Sequence, residues 1–355
     1  MNLLTTRIDL SAIAHNARTI KDLVAPAKLM CVVKADAYNH GVERVVPVME
    51  ANGADAFGVA TVDEAKKLIG LTTKPVLAWI WAIDSELPEG VQLGVPTLQH
   101  LRKLVDDPTP RTIVLKVDTG MNRAGIDEES WAEAFELAKA EHLTVDGLMT
   151  HLACADDLDN PVNDEQAELF HKAITQGRAA GLTLPTNHLA NSPATLTRED
   201  FRFDQVRPGV ALYGLEPVAG ITHDLRPAMS WISRVATVKP IKKGESVSYG
   251  LTWQAPEDGF TASIPAGYAD GVPRAWQDAI EVTINGKAYP QVGRVCMDQF
   301  LIWLGQDQVD LGAEAIIFGS GGMSATELAD RAGTINYEVI CRPTGRNVRE
   351  YTEGK

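Results

Sequence analysis

The chain has 355 residues, 45% hydrophobic and 23% charged, with a formal net charge of −14. That length predicts one large domain plus a smaller one, and the composition excludes a disordered chain. The acidic balance disfavours nucleic acid and anionic membrane as partners, and no apolar run reaches the length of a membrane-spanning helix.

In chain order, MNLLTTRIDLSAIAHNARTI lacks the basic region, apolar core and cleavage site of a signal peptide. It reads as a strand over 3–8, then a helix capped near Ser11. Strand-like runs follow at 28–34, 55–60, 75–80, 91–95, 112–117, 145–151, 185–190 and 206–214. Several are continuously apolar, as parallel strands covered on both faces must be. Amphipathic stretches such as VERVVPVMEANG lie between many of them. Eight strands with intervening helices predict a (β/α)8 TIM-like barrel. An open doubly wound sheet is the alternative, but its GxGxxG fingerprint is missing after the first strand. Beyond about residue 230 the strand-like pieces SRVATVKPI, FTASIPAGYA, IEVTING and GAEAIIFG follow one another, and only SATELADRAG reads as a helix. That predicts a mainly antiparallel β domain. The expected division is 9–230 for the barrel and 231–355 for the β domain, with strand 1–8 a candidate addition to the latter. Cys31, Cys154, Cys296 and Cys341 are scattered without metal spacing, so no metal site is expected and a reduced cytoplasmic enzyme is the simplest class.

In a (β/α)8 barrel the C-terminal strand ends converge on one mouth. The residues able to do chemistry fall there. Lys34 ends the first strand, Arg123 follows the fifth, and His151 ends the sixth. Asn191 and Ser192 follow the seventh, and Arg207 and Gly209 lie in the eighth segment. A lysine in CVVKADAYNHG suits a surface strand end equally well. Its functional reading is a Schiff-base nucleophile, since an amine in a dry mouth titrates low. Backbone N–H groups in RPGVALYG, the Ser192 hydroxyl and the Tyr38 phenol could cradle a phosphate. Ser192 equally suits a helix N-cap before Pro193.

KADAYNHG, KVDTGMNRAG, MTHLACAD, NHLANSP, RPGVALYG, SYGLTW, PAGYADG, GRVCMDQ and INYEVICR, in that order, resemble the alanine racemases, pyridoxal 5'-phosphate enzymes with a barrel and a C-terminal β domain. The resemblance spans nearly the whole chain. It implies a cytoplasmic homodimer with shared active sites, interconverting L- and D-alanine for peptidoglycan by a two-base mechanism. By that pattern Lys34 holds the cofactor as an aldimine. Tyr38, Ser192, Gly209 and Val210 contact its phosphate, His151 and Asn191 also bind the cofactor, and His151 is the positive or hydrogen-bonding neighbour that the Tyr249 phenol needs to act as a base. Arg207 faces the pyridine nitrogen, supported by His188. Tyr249 is the second catalytic residue and comes from the other subunit; from its own sequence it is an aromatic in a β-domain strand, in core or interface. Arg123 and the Met297 backbone N–H bind the substrate carboxylate. Lys116 matches a lysine that is often carbamylated; its rival reading is a salt bridge to Asp118. Tyr268, Asp298 and Cys296 match positions lining the site or its access, with Cys296 read as structural. The chain departs from the family at Asp36, Asn39 and Gly345, the last standing where many members carry a tyrosine; Tyr351 is a candidate substitute. Rival functions are a racemase for serine or larger amino acids, a non-catalytic pyridoxal phosphate-binding protein, and a lysine aldolase.

Overall fold

The computed structural model of the chain describes residues 2–353. They form two compact units: 13–37 with 41–226, and the remainder, namely residues up to 12, 38–40 and from 227 on. The first strand, β1 (Leu4–Asp9), belongs to the second unit. The helix Leu10–Val24 follows it directly, and its cap, near Ser11 as expected, is Asp9. One Asp9 carboxylate oxygen accepts from the Ser11 and Ala12 amides and the Ser11 hydroxyl, at 2.8, 3.2 and 2.6 Å.

The first unit is the expected parallel α/β ring. Its strands are β2 (Lys28–Val32), β3 (Ala56–Thr61), β4 (Val76–Ile80), β5 (Gln92–Val95), β6 (Arg111–Lys116), β7 (Leu143–Met149) and β8 (Gln205–Val206). They pair in parallel in the order β7-β6-β5-β4-β3-β2-β8. Met30, Ala56, Leu77, Val114 and Met149, each from a different strand, pack as one cluster. The helices bury single faces. Val42–Ala51 buries Val42, Val45, Val46 and Met49, the i, i+3, i+4, i+7 set.

Two expected strands are reduced. Residues 186–190 close the ring by separate main-chain bonds: Thr186 and His188 donate to Asp146 and Leu148 at 2.8 and 3.0 Å, and Arg207 donates to Ala190 at 2.9 Å. Gly147 permits this, because a Cβ there would overlap the Thr186 carbonyl. The eighth segment stops after Val206, and Val210–Tyr213 forms a 3₁₀ turn. Pro208 lacks the N–H a continuing strand would donate.

The second unit is a nine-stranded sheet, β10-β13-β16-β15-β14-β17-β9-β1-β18. Its remaining strands are β9 (Met229–Arg234), β10 (Thr237–Ile241), β13 (Gly259–Ile264), β14 (Glu281–Ile284), β15 (Lys287–Val292), β16 (Phe300–Gly305), β17 (Glu314–Phe318) and β18 (Val348–Thr352). A separate two-stranded ribbon is made by β11 (Ser246–Val247) and β12 (Trp253–Gln254). All sheet pairs are antiparallel except β1 with β18. SRVATVKPI, read as one strand, is two: β9 lies inside the sheet and β10 at its edge. A helix not anticipated, Asn336–Cys341, buries Asn336, Val339 and Ile340. Six residues without a side-chain cap leave little periodic signal.

Candidate active site

Lys34 sits just past β2. The strand end is fixed on both sides, Val32 N donating to Pro208 O at 3.1 Å and Val33 N to Gly58 O at 2.9 Å. The chain then turns left-handed. Ala35, Asp36, Ala37, Tyr38 and Asn39 have φ of 52, 55, 56, 50 and 67°. For L-residues that conformation costs about 1–2 kcal/mol each, or about 5–10 kcal/mol for the turn. Strain of this kind persists only where the surroundings over-determine it. Here Ala37 N donates to Val33 O at 2.9 Å, Gly41 N to Asp36 O at 3.0 Å, and Val42 N to Asp36 Oδ1 at 2.8 Å. The Ala35 amide donates to Glu64 Oε1 at 2.7 Å. Asn39, where the family usually has glycine, is the residue type that best tolerates this φ after glycine. Its side chain donates to Pro343 O at 2.7 Å and accepts from Arg349 at 2.6 Å. Tyr38 is buried, its ring 6.4 Å from that of Tyr337. Burial first, then Tyr337 and Cys341, push its phenol well above the ordinary value.

Around the same ring of strand ends stands a set of cations. Arg207 is buried and donates to His188 O and His188 Nδ1, both at 2.7 Å, and to Thr150 O at 2.6 Å. Burial draws it down to about 10, still protonated at neutral pH. A guanidinium only donates, so His188 Nδ1 accepts and the imidazole proton rests on Nε2. Burial and Arg207 hold His188 neutral, and its Nε2 is buried with no partner among the described residues. Lys116 is buried at the end of β6; burial, then Arg123 and Arg207, lower it to about 8 against a smaller opposing pull from Asp118. The Asp118 carboxylate is instead turned to the Gly120 and Asn122 amides at 2.9 and 3.2 Å, which shapes the loop that carries Arg123. No Lys116–Asp118 ion pair occurs among the described residues. His151 is lowered to about 3 by burial, then by Arg207, Arg123, Lys116 and Lys34. Four cationic side chains therefore bear on one neutral imidazole. That donor set suits anionic groups such as a phosphate or a carboxylate.

Ser192 is not the helix cap. Asn191 caps Ser192–Thr197 by accepting from Ala194 N at 3.4 Å. The buried Ser192 hydroxyl instead accepts from the amides of Gly209 and Ala211 at 2.8 and 3.4 Å, with Val210 between them. This draws the two segments into one polar nest of hydroxyl and N–H groups. Gln166 was not picked out from sequence. Its amide accepts from Ala153 N at 2.9 Å and donates to His151 O and Thr119 at 3.1 and 3.2 Å, holding the segment that bears His151. A polar residue on the buried face of the helix Val162–Ala179 was the available signal.

In the second unit, Tyr249 lies in neither strand nor core. It is 73% exposed, on a 3₁₀ turn between β11 and β12. Ser248, Gly250 and Leu251 on either side of it have φ of 63, 74 and 49°. The Ser248 hydroxyl anchors the turn by donating to Arg294 O at 2.8 Å, and lies 3.5 Å from Cys296 Sγ. Tyr268 and Ala269 amides donate to Cys296 O and Met297 O, both at 3.1 Å, so this turn, the 296–298 loop and the 267–270 turn adjoin. Arg346 closes the group. It makes a two-point pair with buried Asp270 at 2.8 and 2.7 Å and reaches Asp298 at 2.7 Å. Tyr249, Leu251, Tyr268 and Met297 are all exposed. Gly345 has φ of 63°, and a Cβ there would collide with the Ala269 carbonyl, so no tyrosine fits this turn as folded. Tyr351 stands six positions on, in β18 opposite Ile8.

Family profiles for the alanine racemase N-terminal and C-terminal domains match residues 8–217 and 228–351. The alanine racemase of Corynebacterium efficiens is 61% identical over 100% of both chains. The crystal structure of alanine racemase from Corynebacterium glutamicum superposes with a TM-score of 0.91 at 50% identity, covering 99% of this chain and 100% of that one. That of the Streptomyces lavendulae enzyme gives 0.94 at 33%, covering 100% and 98%. Barrel and β-sheet unit thus match those of isomerases acting on an amino acid. The chain belongs to the alanine racemase family. Among the described residues no helix is long and apolar enough to cross a membrane, and no cluster of metal-binding side chains occurs.

Proposed function

We propose that the chain interconverts L- and D-alanine with pyridoxal 5'-phosphate held on Lys34. The observation that carries this reading is the gathering of Lys34, Arg123 and Arg207 about a buried, neutral His151, beside the Ser192 nest. Tyr38, Ser192 and the amides of Gly209 and Val210 hold the phosphate, with Asn191 and His151 alongside. Arg207 would face the pyridine nitrogen, and because its guanidinium does not give up its proton it would leave that nitrogen unprotonated. When bound, the cofactor supplies an electron sink that acidifies the substrate α-hydrogen. Inversion then needs one group on each face. Lys34 serves one face, and the partner subunit's Tyr249 serves the other. Arg123 and the Met297 N–H bind the substrate carboxylate, and Tyr268 and Asp298 border the access. The setting is a cytoplasmic homodimer supplying D-alanine for peptidoglycan. The test is a chiral assay on protein reconstituted with the cofactor, read beside its visible absorbance. Interconversion of the alanine enantiomers with a visible band is expected; a colourless protein, or a coloured one without turnover, sinks the reading.

Gly345 favours a second reading, a wider substrate range. The resemblance makes this position a wall of the entry channel, the usual tyrosine is missing from it, and steric discrimination of a hydroxymethyl from a methyl group is worth only about 1–3 kcal/mol. Serine assayed in parallel decides it.

Lys116 is further proposed to carry a carbamate that positions Arg123. A carbamate forms on a neutral amine, and burial beside two guanidinium groups makes this amine easier to deprotonate. Protein equilibrated with ¹³C-bicarbonate is expected to show one carbamate carbon resonance that Lys116→Met abolishes; its absence from the native protein overturns the assignment. The uncarbamylated lysine also makes stability depend on pH. Its folded value of about 8 lies below the ordinary 10.5, so between these the unfolded chain holds more protons. The cost of burying the charge is full below about pH 8 and fades as pH rises from about 8 to 10.5.

A further inference from the structure

We propose that Glu64, in the helix after β3, is a positioning residue for Lys34. It is the third residue of the helix Val62–Leu68, and Thr61 is the N-cap. One carboxylate oxygen, Oε2, accepts from the amides of Ala60 and Thr61 at 2.8 and 3.1 Å, while the Thr61 hydroxyl accepts from Glu64 N at 3.2 Å. Those bonds complete a capping box, which needs only that one oxygen. The other oxygen, Oε1, crosses to the neighbouring strand end and accepts from Ala35 N at 2.7 Å. Helix capping gives no reason for this fourth bond.

The Ala35 N–H belongs to the peptide plane that joins Lys34 to Ala35. Fixing that plane fixes ψ of Lys34 and φ of Ala35 together. Ala35 is the first of the five left-handed residues, where an L-residue left to itself relaxes to negative φ. The Ala37 N bond to Val33 O closes the chain around Ala35 from the carbonyl side, and the Asp36 bonds hold the turn further on, whereas Glu64 takes the Ala35 N–H itself. Glu64 therefore holds the start of the turn, the place where the Lys34 side chain leaves the backbone. The bond is charge-assisted and among the shorter ones in the turn. Through it, β3 and its helix set the direction in which the Lys34 amine, just past β2, is presented. The inference rests on Lys34 as the cofactor-bearing residue.

The test compares Glu64→Ala and Glu64→Gln with Thr61→Val, which breaks the other half of the capping box and leaves the Glu64–Ala35 bond in place. In cofactor-free protein, amide exchange over 33–42 is expected to quicken about tenfold or more in Glu64→Ala. Glu64→Gln, with one acceptor oxygen to divide between two strand ends, falls between it and the native protein. Thr61→Val leaves that segment unchanged. In reconstituted protein Glu64→Ala is expected to lower kcat about 10- to 100-fold with KM for alanine little changed. Equal exchange in Glu64→Ala and Thr61→Val overturns the proposal and leaves Glu64 a helix cap only. If Glu64→Ala does not fold, Glu64→Gln against Thr61→Val decides by the same comparison. Borohydride trapping of the cofactor in the native protein separately tests Lys34. A label elsewhere would sink that assignment, while the exchange result still reports whether Glu64 holds the turn.

Discussion

Lys34→Ala is expected to lower alanine racemisation by about a thousandfold or more, the combined loss of a covalent anchor and a proton-transfer group. Both roles fall on one amine, so no neighbour can restore them separately. Lys34 is half-buried, and the left-handed turn begins only after it, so the barrel should fold without the amine. Two measurements accompany the assay. Denaturant midpoints of variant and native protein should agree. Borohydride reduction of the native protein, followed by peptide mapping, should place the pyridoxyl group on the peptide containing Lys34, and the variant should take up none. Label on Lys116, or racemisation within tenfold of native in a variant that folds, would remove Lys34 from the centre of the mechanism. Lys116 is the pertinent rival, since its amine is the one in this ring that burial and two arginines bring to about 8.

The alternation of apolar runs and amphipathic stretches was legible as an eight-strand ring because each buried strand carries its own signal. KLMCV and AFGV are buried almost throughout in the structure. Segment 186–190 and the eighth strand were legible only as positions. Their pairing depends on partners distant in sequence, such as Gly147 making room for Thr186. The cationic group was foreseeable from placement, since strand ends of such a ring converge. Its electrostatic character was not, because the neutrality of His188 and His151 follows from burial beside arginines, which no local pattern encodes. The left-handed turn was hidden as well. ADAYN contains no glycine, and although Asp36 and Asn39 tolerate positive φ singly, nothing local encodes five such residues in succession. Glu64 left a trace that could have been read: TVDE directly after a strand is a capping-box signature. What the sequence does not disclose is that one oxygen of that cap is used elsewhere. Tyr249 was misplaced into a strand because SVSYGLTW alternates like one. The positive φ values around it break the strand into a ribbon with an exposed tip.

That exposed tip bears on the second large effect, complementation between two inactive variants. Tyr249→Phe alone is expected to lower racemisation by about 10²- to 10⁴-fold, as the loss of one of two proton-transfer groups. Its 73% exposure means that deleting the hydroxyl disturbs no core, so the loss reads chemistry rather than folding. An exposed tyrosine beside exposed Leu251, held on a strained turn, is what an interface requires, and the resemblance to alanine racemases assigns this residue to the neighbouring subunit's site. In a two-fold dimer each chain then gives its Lys34 to one site and its Tyr249 to the other. Lys34→Ala and Tyr249→Phe chains, each nearly inactive alone, are mixed in equal amounts and allowed to exchange. Random pairing makes about half the dimers mixed, each with one site carrying both defects and one carrying neither, so about a quarter of native activity should return. Exchange itself is followed separately, by mass-tagged chains. Demonstrated exchange without recovery would mean that both residues serve the same chain. The single-site defects would then stand, but the dimer would lose its chemical reason and Tyr249 its assignment to a shared site.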